Sequence, residues 1–318
     1  KKPCRKIHDL RGSVVLLCCV FYSNIGKCDS DSRKEQKMNI IDSFSGQGSP
    51  LKNNEDIWGH SRSAAWIFDG ATGLAKDNLV AADGHTDPHW LVHTADKSLQ
   101  THADKIEDMH ALYAAVLRDC ENAFFKERTR EPRAPYELPM AASIVIRMFH
   151  GRVFCGALSD CTMLIETEDG LESMPACEKH AKVDNTSKAL MLDILKKGIA
   201  VEDARSHMIP HLQANRRLAN APGGYDVFAP ESRLADRVRI QNFKPAKDGC
   251  ALLMTDGFYA LVENYKAYDD AGLLTAARHI GLEALYNELR EIEDDDHGMT
   301  QFPRMKKSDD ATAVLIGF

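Results

Sequence analysis

The residues most able to do chemistry in this sequence are carboxylates at the edges of apolar, strand-like runs. They are Glu55-Asp56, Asp69, Asp256 and Asp309-Asp310. Buried carboxylates brought together repel one another, and each resists ionisation unless a cation neutralises the group. Hard oxygen ligands of this kind select Mg²⁺ or Mn²⁺ in octahedral geometry over zinc or copper. Two of the positions, Asp69-Gly70 and Asp256-Gly257, pair the Asp with a Gly. The missing Cβ lets the backbone come close, so that its carbonyl can join a coordination shell. Asp-Gly is also a common turn pair, and Asp83-Gly84, Asp169-Gly170 and Asp248-Gly249 are read as turns only. The weight falls on the order and surroundings of the set, not on any one pair.

Other eye-catching residues rank lower. His85, His89 and His93 have i, i+4 spacing that could suit a metal on a helix. Gly84 and Pro88 make that segment loop-like at its start, so surface or core histidines are the preferred reading. Glu291–Asp296 reads as a solvated acidic loop, and Gly223-Gly224-Tyr225 as a turn before a strand. The nine Cys include no CxxC pair and no His/Cys spacing that would cage zinc. Cys155 and Cys250 lie inside apolar runs, where Cys acts as a small hydrophobe. An odd count without a disulfide framework indicates a reducing compartment, hence a cytoplasmic location.

The elements that must position the carboxylates can be outlined. The chain has 318 residues, 27% charged and 44% hydrophobic, a globular composition. A net charge of -7 without a basic stripe argues against a nucleic-acid partner. Val14–Tyr22 is apolar and follows basic residues, yet it is too short to span a bilayer. Residues 1–37 are therefore expected to be an extension outside the fold, with a cleaved signal as the alternative. Residues 38–318 are expected to form one domain. Strands are expected at Ile40–Phe44, Ser63–Phe68, Ala142–Phe149, Arg152–Leu158, Thr162–Thr167, Asp226–Phe228, Arg237–Ile240, Ala251–Met254 and Ala311–Phe318. His150-Gly151 is a hairpin turn by its residue types. Helical spacing marks Lys105–Glu127, Thr186–Lys197, Val201–Leu218, Asp269–His279 and Leu282–Glu293. Strands bunched in hairpins and helices bunched in pairs indicate an α+β layered fold.

The ordered set resembles the metal-dependent protein phosphatases, the type 2C serine/threonine enzymes, in a bacterial-type form. Asn54-Glu55-Asp56 is similar to that family's first acidic motif, and Ile67-Phe68-Asp69-Gly70 to the strand-turn bearing its bridging Asp. Leu252–Phe258 resembles its second Asp-Gly strand, and Ser308-Asp309-Asp310-Ala311-Thr312 its closing motif. Ala157-Leu158-Ser159-Asp160-Cys161 is a weaker match to its Gly-Asp motif. The resemblance spans about residues 40–318 and implies a four-layer α-β-β-α sandwich of two antiparallel sheets flanked by helix pairs. It implies that Asp69 bridges two Mn²⁺ or Mg²⁺ ions, with the Gly70 carbonyl on one of them. Asp256 and Asp309 would complete one shell, Glu55 would bind the other ion, and Asp56 would orient metal-bound water. Asp160 would serve a third, weaker site. The implied reaction is direct hydrolysis of protein phosphoserine or phosphothreonine by a metal-bridging hydroxide, without a phospho-enzyme.

Two departures from the family's pattern bear on activity. The family's phosphate-binding Arg position holds Leu51, leaving Lys52 and Arg62 as candidates. Lys52 offers a point charge but no bidentate fork. Where many eukaryotic members carry a His after an Asp-Gly pair, this chain has Ala71. These differences leave two alternatives open: a weak or inactive phosphatase-like binding module, and a small-metabolite phosphatase.

Overall fold

Alternation of side chains decides the layering. In the segment Ala64–Gly70, Ala65 and Ile67 face one way and Ala64, Trp66 and Phe68 the other, and all five are fully buried. A strand buried on both faces needs a layer on each side.

The computed structural model describes residues 37–81 and 84–318. The extension expected over residues 1–37 therefore lies, but for Lys37, outside the described residues, as does Asp83. The strands are β1 (Asn39–Gly46), β2 (Asp56–His60), β3 (Ala64–Gly70), β4 (Ala141–Phe149), β5 (Arg152–Leu158), β6 (Thr162–Thr167), β7 (Gly170–Met174), β8 (Arg239–Phe243), β9 (Cys250–Met254) and β10 (Ala311–Gly317). The helices are α1 (Asp87–His102), α2 (Met109–Glu127), α3 (Glu178–Lys196), α4 (Val201–Arg216), α5 (Asp256–Glu263), α6 (Asp270–Ile280) and α7 (Leu282–Asp295). Two five-stranded sheets form, in the orders β1-β10-β9-β6-β7 and β2-β3-β4-β5-β8. Every pairing within them is antiparallel.

The core between the sheets joins Ile67, Ile144, Ile146 and Cys155 of one to Met163, Ile165, Leu253 and Val314 of the other. Trp66, Phe68 and Val145 pack outward with Leu91, Leu112 and Val116 of α1 and α2. Leu252, Met254 and Leu315 pack outward with Phe258, Leu273 and Leu285 of α5–α7. The fold is the expected four-layer α+β sandwich. Each fully buried side chain of this size contributes about 1.5–3 kcal/mol.

Several expectations change. Glu291–Asp296, expected as a solvated loop, lies in and just after α7, with Glu293 and Asp296 buried. The segment after Gly84 is helical, because Pro88 falls in the first turn of α1, where its missing N–H costs nothing, and Thr86 caps the helix. Asp256-Gly257 opens helix α5 rather than closing a turn. Asp226–Phe228 makes only an isolated bridge, Ala141 to Phe228, not a strand. His150 and Gly151 both have positive φ (48° and 74°), the two-residue turn their types indicated.

Helix α1 also stacks the His ladder. The His85 and His89 rings lie 4.3 Å apart, and those of His89 and His93 4.1 Å apart. Burial, then the charges of His93 and His85, pulls His89 down to about 4. Its folded pKa is thus below the unfolded value of about 6.5. The stability this contributes is complete above pH 6.5 and is lost as pH falls toward 4. His89→Gln should make the drop in Tm between pH 6.5 and 4 smaller, by roughly 2–4 °C, with the ladder's solvent exposure keeping the effect modest. Thermal melts of both proteins across that range check this, and parallel curves would refute it.

Candidate active site

The carboxylates arrive from four places at one end of the gap between the sheets. Asp56 and Asp69 are directly opposed across the β2–β3 pair, so their side chains share a face. Asp256 follows β9 and Asp309-Asp310 precede β10, its antiparallel neighbour. Thr255 ties the sheets together: its hydroxyl donates to Asp56 Oδ2 (3.0 Å) and accepts from the Thr312 N–H (3.0 Å). Asp69, Gly70, Asp160, Asp256 and Asp309 line one cavity of about 190 Å³.

Close backbone approach brings these segments together. A Cβ on Gly70 would meet the Glu55 carbonyl at 2.6 Å, and one on Gly257 would meet the Asp310 carbonyl at 2.0 Å. Gly70 also donates its N–H to that Glu55 carbonyl (3.0 Å). Since the Gly257 contact is with backbone, Gly257→Ala has to displace the Asp309-Asp310 segment. It should cost about 1–3 kcal/mol or more and lower any activity of the site. A melt and a rate measurement test this, and an unshifted Tm would refute it.

The electrostatics are those of crowded carboxylates. Asp69 is held well above the usual carboxylate range by burial, then by Asp56, Asp256, Asp309 and Asp160. Asp56 is raised by burial, then by Asp310 and Asp309. Asp256, whose outer edge still meets water, is pushed up to about 7 by its dense protein surroundings, then by Asp160 and Asp309. Asp56 Oδ1 is buried with no hydrogen-bond partner, a costly state for a carboxylate oxygen.

Several carboxylates already have donors. Glu55 accepts from the hydroxyls of Thr86 (2.6 Å) and Thr72 (2.8 Å). Asp310 accepts the N–H groups of Gly48 and Glu55, both at 2.7 Å, and so fastens the loop between β1 and β2. Asp309 accepts from Lys306 Nζ at 2.5 Å. Burial pulls the Lys306 ammonium down, but Asp309 outweighs it and holds it charged. Asp160 is paired with His180 at 2.6 Å. Burial lowers the pKa of His180, and Asp160 overrides this to lift it to about 9. Ser159, just before Asp160, has φ of 68°, an uncommon conformation outside Gly.

Among the described residues, no group of three or more His, Cys, Asp or Glu side chains is arranged to hold a metal ion. The chemistry of the donor set nonetheless fits a hard divalent cation. An orphaned Asp56 oxygen and three carboxylates resisting ionisation share one end of the sheets, with Asp309 and Glu55 turned toward Lys306 and the threonines.

The two expected phosphate ligands are not brought to this cavity. Arg62 sits in the β2–β3 turn, at the opposite end of the hairpin from Asp56 and Asp69. Lys52 is exposed and lines neighbouring cavities with Glu55. Leu51 is 93% exposed. Missing from the sequence reading were His180, Arg205, Arg216 and Lys306, all of which line the carboxylate cavity. One signal was available for Arg205 and Arg216: eleven residues return to the same face of a helix.

No protein-family profile matches the sequence, and no curated protein sequence does. Solved structures do match in three dimensions. The Mycobacterium tuberculosis serine/threonine phosphatase PstP/Ppp aligns with a TM-score of 0.50 at 15% identity, over 87% of this chain and 97% of that one. The fold is that of serine/threonine phosphatases. A second structure, the PstP catalytic domain in complex with two manganese ions, aligns with a TM-score of 0.50 at 13% identity, over 86% of this chain and 96% of its own. The S. agalactiae serine/threonine phosphatase aligns with a TM-score of 0.50 at 9% identity, over 88% and 98%. Within this phosphatase fold, the sandwich expected from the sequence motifs is present in full. No helix among the described residues is long and apolar enough to cross a membrane.

Proposed function

We propose that the protein is a divalent-metal-dependent phosphatase acting on phosphoserine and phosphothreonine in proteins. The observation that carries this is the gathering of Asp56, Asp69, Asp256 and Asp309 from both sheets, with the carboxyl pKa values of Asp56, Asp69 and Asp256 raised and an Asp56 oxygen orphaned. Asp69, Asp256 and Asp309, with Glu55 and the Gly70 carbonyl, would hold two Mn²⁺ or Mg²⁺ ions, and Asp160 a third, weaker one. When bound, such ions supply Lewis acidity toward water and phosphoryl oxygens at neutral pH.

The chain's own part is to position and to set charge. Thr255 fixes Asp56 through Oδ2 and leaves the buried Oδ1 as an unused acceptor, placed to orient water. Thr72 and Thr86 orient Glu55. His180, held protonated by Asp160, puts a fixed positive charge on the cavity wall. No Cys is needed as a nucleophile; Cys161, the one nearest the carboxylates, is buried with its thiol pushed well up by burial and then by Asp69. A catalytically silent binding module is the second reading, favoured by the Lys306 ammonium on Asp309 and by Leu51 and Ala71.

Release of p-nitrophenol from its phosphate, with and without Mn²⁺ and with chelator, separates the two. Turnover that appears with millimolar Mn²⁺ and vanishes with chelator supports the enzyme. No turnover and no Mn²⁺ binding by calorimetry overturns it. Faster hydrolysis of free phosphoserine than of phosphopeptides would overturn the protein-substrate part alone.

A further inference from the structure

Helix α4 brings two arginines to the carboxylate cavity. Arg205 and Arg216 lie eleven residues apart, hence on one face and about 16 Å apart along the axis at about 1.5 Å per residue. Both line the cavity. Arg205 makes no hydrogen bond or ion pair with any described residue. Arg216 makes one long hydrogen bond, to the Thr72 carbonyl at 3.4 Å, and no ion pair with a described residue. Burial lowers the pKa of Arg216, Tyr225 partly offsets this, and the charge of Arg205 lowers it further. Two guanidinium groups that repel each other are therefore held beside a cluster of carboxylates.

The ordinary explanation, that they neutralise those carboxylates, does not fit the contacts. Glu55 is satisfied by two threonine hydroxyls, Asp160 by His180 and Asp309 by Lys306. The arginines are left over. The helix that carries them is docked rather than loose. Gln213 donates to the Leu74 carbonyl (3.1 Å), two residues past the Thr72 carbonyl that Arg216 contacts. Ala204 and Met208 pack with Met191 and Ile194 of α3, and Met305 packs against the same cluster. Both arginines thus reach the cavity from a fixed support, Arg216 against the turn after Asp69.

We infer that Arg205 and Arg216 of α4 form the phosphate-recognising pair of this cavity, binding the substrate's phosphate dianion opposite the carboxylates. This rests on the phosphatase reading above and supplies the recognition that Leu51, Lys52 and Arg62 do not. An anion entering a carboxylate-rich cavity meets repulsion, and fixed guanidinium forks offset it while giving the two parallel hydrogen bonds that a point charge lacks.

The test uses the full chain with Arg205→Ala, Arg216→Ala and Arg205→Lys, and Arg217→Ala as a control on the neighbouring exposed arginine. KM for p-nitrophenyl phosphate and the inhibition constant of inorganic phosphate are measured with Mn²⁺, and phosphate binding is measured directly by calorimetry. Each Ala variant should weaken KM, phosphate inhibition and phosphate binding by about tenfold to a hundredfold. Arg205→Lys should recover part of the loss, and Arg217→Ala should change nothing. Should Arg216→Ala misfold, Arg205→Ala carries the test alone, since that side chain has no hydrogen-bond or ion-pair partner among the described residues to lose. An active wild type whose Arg205→Ala variant binds phosphate unchanged overturns the inference and leaves the phosphatase reading standing. If the wild type turns over nothing, that reading fails separately. Calorimetry then decides: phosphate binding lost in the Ala variants supports the pair, and no binding by wild type overturns it.

Discussion

Asp69→Asn is expected to cut Mn²⁺-dependent hydrolysis by roughly a thousandfold or more, the scale for removing a member of a site that acts as a unit, while making the metal-free protein more stable. Both effects have one cause. Asp69 is half-buried in dense protein surroundings and crowded by Asp56, Asp256 and Asp309, and its pKa stands well above the ordinary carboxylate value. A carboxyl raised on folding binds more protons folded than unfolded between its two pKa values. Stability therefore falls as pH rises through that window and is recovered on acidification. At neutral pH an amide removes that penalty, so Tm in chelator should rise by about 2 °C or more, the equivalent of about 1 kcal/mol. Saturating Mn²⁺ should reverse the order, since only the wild type has the full set of anionic ligands and gains the linkage term. Melts with chelator and with Mn²⁺, beside rates on p-nitrophenyl phosphate, read both effects. A variant that keeps its activity, or melts lower than wild type in chelator, would remove the basis for the site.

Arg304→Met should give a large loss of stability, at a residue that reaches the carboxylate cavity only through the segment it fastens. Arg304 and Asp296 are both buried, 7% and 6% exposed at the side chain, and form a 2.7 Å pair. Arg304 also donates to the carbonyls of Phe302, Lys307, Glu293 and Asp296, while Asp296 accepts the N–H groups of Thr300, Gln301 and Phe302. Burial raises the pKa of Asp296, but these donors win and hold it below the ordinary value. Removing one partner strands a buried charge, at about 3–5 kcal/mol, or a Tm lower by on the order of 10 °C. The exposed pair Lys244–Glu168 should give about 0–1 kcal/mol, and breaking the fully exposed Lys307–Asp294 pair should leave stability unchanged. Activity should fall with Arg304→Met as well, because the segment it fastens carries Lys306 and leads directly to Asp309. Denaturant titration of the three variants tests this ranking. An Arg304→Met loss no larger than the surface ones would contradict it.

Much of the candidate site can be picked out in the sequence because its residues announce themselves locally. Asp69 and Asp256 follow apolar strands and precede a Gly, and that pattern depends on neighbours in sequence alone. The same holds for the turn at His150-Gly151 and, β2 and β7 excepted, for most strand positions, where a short apolar run bounded by turn residues marks a strand buried on both faces. Helix α1 escaped because Pro88 was weighed as a breaker, whereas at the first turn of a helix it is neutral. Lys52 is a candidate because it adjoins Leu51 at the family's phosphate-binding position, and Arg62 is the next cation along, but a β-hairpin carries Arg62 away from Asp56 by its own length.

What the sequence alone determined is the inventory: a two-sheet α+β sandwich and a set of carboxylates with glycines that let backbones meet. What only the tertiary structure decided is the charge balance around them. Lys306 meets Asp309 three residues on, but His180 meets Asp160 twenty residues upstream, and α4 delivers Arg205 and Arg216 to the turn after Asp69 from more than 130 residues away. Such pairings are fixed by how helices dock on sheets. Docking depends on the sum of many apolar contacts, and no local pattern in the chain encodes that sum.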